Sequence, residues 1–220
     1  MLIMNIEEKR EDFLKSYFDS FKQIFPGLTE ELFLSYYDEI YELGLLGYPQ
    51  KQGGSMWTSE LQNLYVLIRL LKPKNILELG NFIGVSSNAI LTAVKKNDFG
   101  EVTLVDIEER LQYENLCSKN FTRILSDSQS YLNNKINFDL IFIDDWHSYD
   151  HVFKELTLIR QNNINKNYLI WGHDYFVNDF TPNSTCEVRK AFDEKKEEFE
   201  IFLPMLDSIS DCGLIICKFK

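Results

Sequence analysis

Basic residues are scarce in this sequence. Lys and Arg number 23 against 34 Asp and Glu, giving a formal net charge of −11 with the three histidines neutral. A phosphate backbone is gripped by a basic face, and so is an anionic membrane surface. Neither nucleic acid nor a membrane is therefore the expected partner, and a small or cationic ligand remains. No run of about 18 apolar residues occurs, so no membrane-spanning helix is expected. The opening MLIMNIEEKRED holds too few apolar residues for the core of a signal peptide. The four cysteines, Cys117, Cys186, Cys212 and Cys217, contain no C-x-x-C pair; they read as reduced thiols of a cytoplasmic protein. Proline (5) and glycine (10) are few, and no repeat, low-complexity tract or linker divides the chain.

What remains is an ordinary globular composition: 45% apolar and 26% charged over 220 residues. A chain of this length buries roughly 70% of its unfolded surface, enough for one domain with a cleft. Residues 5 to 42 carry Phe13, Leu14, Tyr17, Phe18, Phe21, Ile24 and Phe25 at helical spacing. Pro26-Gly27 breaks that run, and a second aromatic helix covers Glu30 to Tyr41. A turn-rich stretch, Gly44 to Ser55, follows. Thr58 through Leu71 reads as a helix capped by Thr58 or Ser59 and closed before Pro73.

From there short apolar strands alternate with helices. Strands are expected at Asn75–Leu79, Val102–Val105, Thr122–Leu125, Leu140–Ile143 and Tyr168–Trp171, with helices at Ser86–Lys96, Ile107–Lys119, Ser128–Asn134 and Tyr149–Gln161. This alternation predicts an α/β fold, a mostly parallel sheet with helices on both faces. Glu200–Leu206 and Gly213–Phe219 are joined too closely for a crossover and form an antiparallel hairpin.

The first strand runs into Gly80-Asn-Phe-Ile-Gly84-Val-Ser86 and then a helix. In an open parallel sheet this is where ligands bind, and glycines let backbone approach them. The loop lacks the Lys-Ser/Thr of a phosphate-binding loop, and only Gly80 fits the dinucleotide spacing, because positions 82 and 85 are Phe and Val. Glu78, at the end of the strand, would repel a pyrophosphate and suit a sulfonium. Asp106, closing the second strand, is placed to accept from a ribose diol or to cap a helix. Ser126, Asp127, Ser128 and Gln129 end the third strand and stand either at an adenine edge or at a helix cap.

NILELGNFIGVSS resembles motif I of the class I S-adenosylmethionine-dependent methyltransferases, and LVDIEE resembles their acidic ribose motif. With IFIDDWHSYDH and LIWGHDY, the chain is similar to the catechol O-methyltransferase-like group, particularly the bacterial branch acting on natural products and sugars. The resemblance covers about residues 55 to 220. It implies a Rossmann-like, doubly wound, seven-stranded sheet whose last strand is antiparallel. It also implies that residues 1–54 form an N-terminal helical cap over the substrate and that 55–220 form the methyltransferase domain. Glu78, Gly80, Gly84 and Ser86 would hold the methionine end of S-adenosylmethionine, Asp106 the ribose, and Asp127 with Ser128 the adenine side.

Asp144, Asp145, His147, Tyr149 and His151 follow a buried strand, and His173 and Asp174 end the next. Two such clusters on neighbouring strand ends can converge on one metal ion. Oxygen ligands favour Mg2+ or Ca2+, and an imidazole shifts the preference toward Mn2+ or Zn2+. By resemblance the ligands are Asp144, His173 and Asp174, holding Mg2+ or Mn2+; His173 departs from the family's acid or amide pair, and Asp145 is the substitute ligand. His147 stands where the group carries its general base, and an imidazole with a pKa near 6.5 accepts a proton at neutral pH. The competing role for His147 is to cap the helix that starts after it. His151 reads as a surface or packing residue. Trp146 and Trp171 read as walls of the site, with Trp57 and Tyr175 behind them. The expected activity is O-methylation of a small-molecule hydroxyl. A metal-dependent hydroxylase-like relative and a non-catalytic cofactor-binding subunit are the alternatives. The cap aromatics Phe33, Tyr36 and Tyr37 are compatible with an aromatic or glycosidic acceptor, and any exposed aromatics on the cap would favour a homodimer.

Overall fold

Leu140-Ile-Phe-Ile143 shows how the fold is built. Successive side chains of a strand point to opposite faces, and here every one is apolar and buried. Leu140 and Phe142 enter one hydrophobic core, Ile141 and Ile143 a second. The strand must therefore be covered on both sides, as parallel strands joined by helices are. The structure, a computed structural model, describes residues 6–43, 56–111, 121–206 and 210–220.

Seven strands form one sheet: β1 (Asn75–Leu79), β2 (Glu101–Asp106), β3 (Phe121–Leu125), β4 (Leu140–Ile143), β5 (Leu169–His173), β6 (Phe199–Met205) and β7 (Leu214–Phe219). Their order is β3-β2-β1-β4-β5-β7-β6. The first five pair in parallel, while β7 lies antiparallel between β5 and β6. This is the predicted topology. The strand order reverses between β1 and β4, which opens a crevice at their carboxyl ends.

One face is covered by α1 (Ile6–Ile24), α2 (Glu30–Glu42), α3 (Thr58–Leu71) and α4 (Val85–Asn97); the other by α5 (Ser128–Leu132), α6 (Tyr149–Asn162) and α8 (Val188–Glu194), with the short α7 (Val177–Phe180) beside them. The aromatics of α1 and α2 turn inward. Phe13 stacks on Phe33 with ring centroids 5.2 Å apart, and Phe21, Phe33 and Tyr37 are buried in the core that α3 and the sheet share. Phe33 and Tyr37 are therefore core residues and are not presented to an acceptor.

Several expectations are corrected. The cap of α3 is Trp57, whose backbone N–H donates to Glu60 Oε2 at 2.9 Å, rather than Thr58 or Ser59. Residues 107–111 of the helix expected at Ile107–Lys119 are not helical, because Asp106 Oδ1 accepts from the Glu108 amide at 3.0 Å and turns the chain. The remainder of that helix, the turn at 44–55 and Cys117 lie outside the described residues. Helices α7 and α8 fill a stretch for which the sequence carried no clear period. Among the described residues, no helix is long and apolar enough to cross a membrane.

Candidate active site

Gly80 sits at φ +80°, in the left-handed region where glycine is favoured. A Cβ there would come within 2.6 Å of the Asp145 Cα and would collide with the Asp144 carbonyl. The missing side chain thus lets the loop after β1 press against the loop after β4. Gly84, at φ +93°, starts α4. Asp106 binds the same loop, its Oδ2 accepting from the Asn81 and Phe82 amides at 2.9 Å each.

Two cavities adjoin this contact. The first, of about 380 Å³, is lined by Asn81, Ser86, Asp144, His147, His173 and Asp174 among others. The second, of about 530 Å³, is lined by Asp106, Glu108, Asp127, Ser128, Trp146 and His151 among others. Gly80, Phe82, Asp144 and Asp145 border both. In the first, Asn81 is 2% exposed and neither side-chain amide atom has a hydrogen bond, so a polar group is ready for a guest.

Glu78 does not face the crevice. It is fully buried behind the loop, accepting from Ser86 Oγ and from Ser87 Oγ, the latter at 2.6 Å. Burial pushes its pKa up to about 8. The expected repulsion of phosphates by a cleft-facing carboxylate is therefore corrected: Glu78 ties α4 to β1. The Ser86 hydroxyl is engaged in that tie. Asp127 caps α5, accepting from the Ser130 amide at 2.7 Å, as the capping alternative anticipated, and it still borders the second cavity.

The acids and imidazoles do converge. His147 Nε2 lies 2.8 Å from Asp174 Oδ2 and 3.5 Å from Asp144 Oδ1. His173 Nδ1 lies 3.2 Å from Asp144 Oδ1 and 3.3 Å from Asp174 Oδ1. Asp174 adopts φ +60°, an unusual conformation for a non-glycine residue and one often found at functional sites. Burial favours neutral His147, but the adjacent Asp144 and Asp174 carboxylates outweigh it and hold its pKa up at about 11. The imidazole thus carries a proton between two carboxylates, and the expected value near 6.5 is corrected. It does not cap α6, whose cap position is Ser148. One donor atom each from Asp144, His147 and Asp174 lie within 4.8 Å of one another, a set fit for a divalent ion.

Other expectations fare differently. Asp145 turns away from this group toward His151 Nε2, 3.0 Å away, so it does not substitute as a ligand. His151 is no surface residue: it contacts Asp145, Ser128 and Gln129 at once. Trp171 is core rather than wall, fully buried with Nε1 donating to Asn63 Oδ1 at 3.1 Å. Trp146, 67% exposed, does border the second cavity. Trp57 Nε1 donates to Asp211 at 2.7 Å, and Tyr175 is buried.

Two groups escaped the sequence reading. Glu60 of α3 is fully buried, with Oε2 2.9 Å from His173 Nε2 and Oε1 accepting from Ser210. Cys212 borders the first cavity within 4.8 Å of His173 and Asp174 donor atoms, and burial raises its pKa, keeping it a thiol. Glu60 stands 113 positions from His173, so only the fold could pair them.

Comparison with known proteins agrees with the fold. Residues 77–175 match the model of a methyltransferase domain. No curated protein matches the sequence. Among solved structures, an S-adenosylhomocysteine-bound methyltransferase of Podospora anserina, PaMTH1, aligns with a TM-score of 0.62 at 15% identity, covering 100% of this chain and 98% of its own. The O-methyltransferase TomG of Streptomyces achromogenes, involved in tomaymycin synthesis and solved with S-adenosylmethionine, gives 0.57 at 14% identity over 88% and 91%. An O-methyltransferase of Bacillus cereus in complex with S-adenosylhomocysteine gives 0.55 at 16% over 96% and 100%. Residues 77–175 thus match a methyltransferase domain, and the chain as a whole has the fold of these solved methyltransferases.

Proposed function

We propose that the protein transfers a methyl group from S-adenosylmethionine to a hydroxyl oxygen of a small molecule. The observation that carries this reading is the Gly80 contact: it makes one crevice of the glycine loop, where a nucleoside-bearing donor would lie, and the Asp144–His147–Asp174 group. Asp106, Asp127 and Ser128 border the second cavity and would hold the adenosine. Gly80, Gly84, Ser86 and the unpartnered Asn81 amide would hold the methionine end in the first, with Glu78 bracing the loop from behind.

In the reaction a lone pair of the acceptor oxygen attacks the methyl carbon in line, the carbon–sulfur bond breaks, and sulfur keeps the pair. The sulfonium supplies an already activated methyl, so the protein has to align the two and take one proton. His147 borders the first cavity and is the residue for that proton. It serves as a base only once the charges of Asp144 and Asp174 are answered by something other than its own proton. Asp144 and Asp174, with His173, would hold a divalent ion, Mg2+ or Mn2+, whose charge would lower the pKa of the acceptor hydroxyl. The free thiols Cys186, Cys212 and Cys217 support a cytoplasmic setting, and the acidic composition speaks against a nucleic-acid acceptor.

Thermal unfolding with S-adenosylhomocysteine should raise the melting temperature, whereas NADH should not; the reverse would overturn the donor. His147→Ala should keep the S-adenosylhomocysteine shift and lose transfer to phenol or sugar hydroxyls by about 100-fold or more. An unchanged rate would remove His147 from the chemistry.

A further inference from the structure

Behind the second cavity, where β4, α5 and α6 meet, lies a cluster of three titratable side chains that the reading above does not use, beside Ser128, which it does. Asp145, His151 and Glu155 each place a donor atom within 4.8 Å of the others. Glu155 projects from α6 and is 0% exposed, yet neither of its carboxyl oxygens has a hydrogen bond. Its Oε1 lies 3.4 Å from His151 Nε2. Asp145 Oδ1 is also buried without a hydrogen bond. Buried carboxylate oxygens without partners are costly.

His151 cannot satisfy them. Through Nε2 the ring offers one hydrogen, and three oxygens compete for it: Asp145 Oδ2 at 3.0 Å, Ser128 Oγ at 3.1 Å and Glu155 Oε1 at 3.4 Å. Its other nitrogen is taken up by Gln129 Nε2 at 3.0 Å. A single divalent cation at Nε2, with that hydrogen moved to Nδ1 and the Gln129 amide turned so that its oxygen accepts it, would meet the imidazole nitrogen, both carboxylates and the hydroxyl together. It would also balance the two carboxylate charges with a neutral ring.

We infer that Asp145, His151 and Glu155, with the Ser128 hydroxyl, form a second divalent-cation site separate from the Asp144–His147–Asp174 group. One imidazole among oxygen donors selects a borderline ion such as Mn2+ or Zn2+ over Ca2+. Asp145 and His151 border the second cavity, which gives the ion an entry path. Bound there, it ties the end of β4 to α5 and α6.

The experiment is a count of ions. Chelator-stripped protein titrated with Mn2+ and followed by electron paramagnetic resonance should take up two ions per chain. Glu155→Gln and His151→Ala should each take up one, and Asp174→Asn should also take up one, by loss of the other site. Circular dichroism checks that each variant is folded. Metal-free Glu155→Gln should melt no lower than the metal-free parent, since it removes a buried carboxylate, but should lose part of the Mn2+-induced rise in melting temperature. If the parent binds one ion that Glu155→Gln and His151→Ala retain, the cluster holds only a shared proton and the inference is overturned. If instead Asp174→Asn retains every ion and Glu155→Gln loses one, this site stands and the metal assigned to the reaction falls.

Discussion

Glu78 illustrates what a buried acid does to the stability of this protein. Its pKa is raised by burial from the ordinary value of 4.5 to about 8, partly offset by the Ser86 and Ser87 hydroxyls. Below the ordinary value, folded and unfolded chains hold the same proton and the residue is neutral to stability. Between there and about 8 the unfolded chain releases a proton that the folded chain keeps, so stability falls as pH rises, by about 1.4 kcal/mol per unit at most. Glu78→Gln should therefore flatten the dependence between pH 5 and pH 8 relative to the parent, measured as denaturant midpoints. An equal slope in both would show that the carboxyl is ionised when folded. At this scale the sequence was only partly legible. Asp144, His147, His173 and Asp174 were recognisable because each stands at or just past a strand end. The direction in which Glu78, Asp145 and Trp171 point was not, because a side chain's facing depends on neighbours that local pattern does not name.

Among the elements, the joint between the loop after β1 and the loop after β4 is the most exacting. Gly80→Ala would place a methyl against the Asp144 carbonyl and force an unfavourable φ. It should cost at least about 2 kcal/mol and weaken S-adenosylhomocysteine binding, read by denaturant unfolding and calorimetry. Full retention of both would mean that the loops separate easily. Strands β1 and β4 were read with their observed ends, because apolar tracts buried on both faces stand out between polar turns. The caps were read less well. Trp57 begins α3 through its backbone and the Glu60 carboxylate, a device whose residue type at the cap position gives no cue.

For the molecule as a whole, α1 and α2 are part of the body. Phe33 is fully buried among Phe13, Phe18 and Phe21. Phe33→Ala should cost about 3–5 kcal/mol and lower the melting temperature without changing S-adenosylhomocysteine affinity. A loss of affinity instead would make these helices a wall of the site. The helix-covered sheet and its strand polarity were legible because alternation of strand and helix leaves few topologies; the inward turn of the aromatics was not, since a stripe at helical spacing reads alike on a core and on a cap.

The position of β7 has one last consequence. It lies between β5 and β6, yet a ribosome makes it after both. Until it emerges, the backbone edge of β5 stays open with Ile170, Trp171 and Gly172 unpaired on that side. The nascent protein thus carries a sticky flank, and β6 must wait as a loose segment for the strand that will seat it.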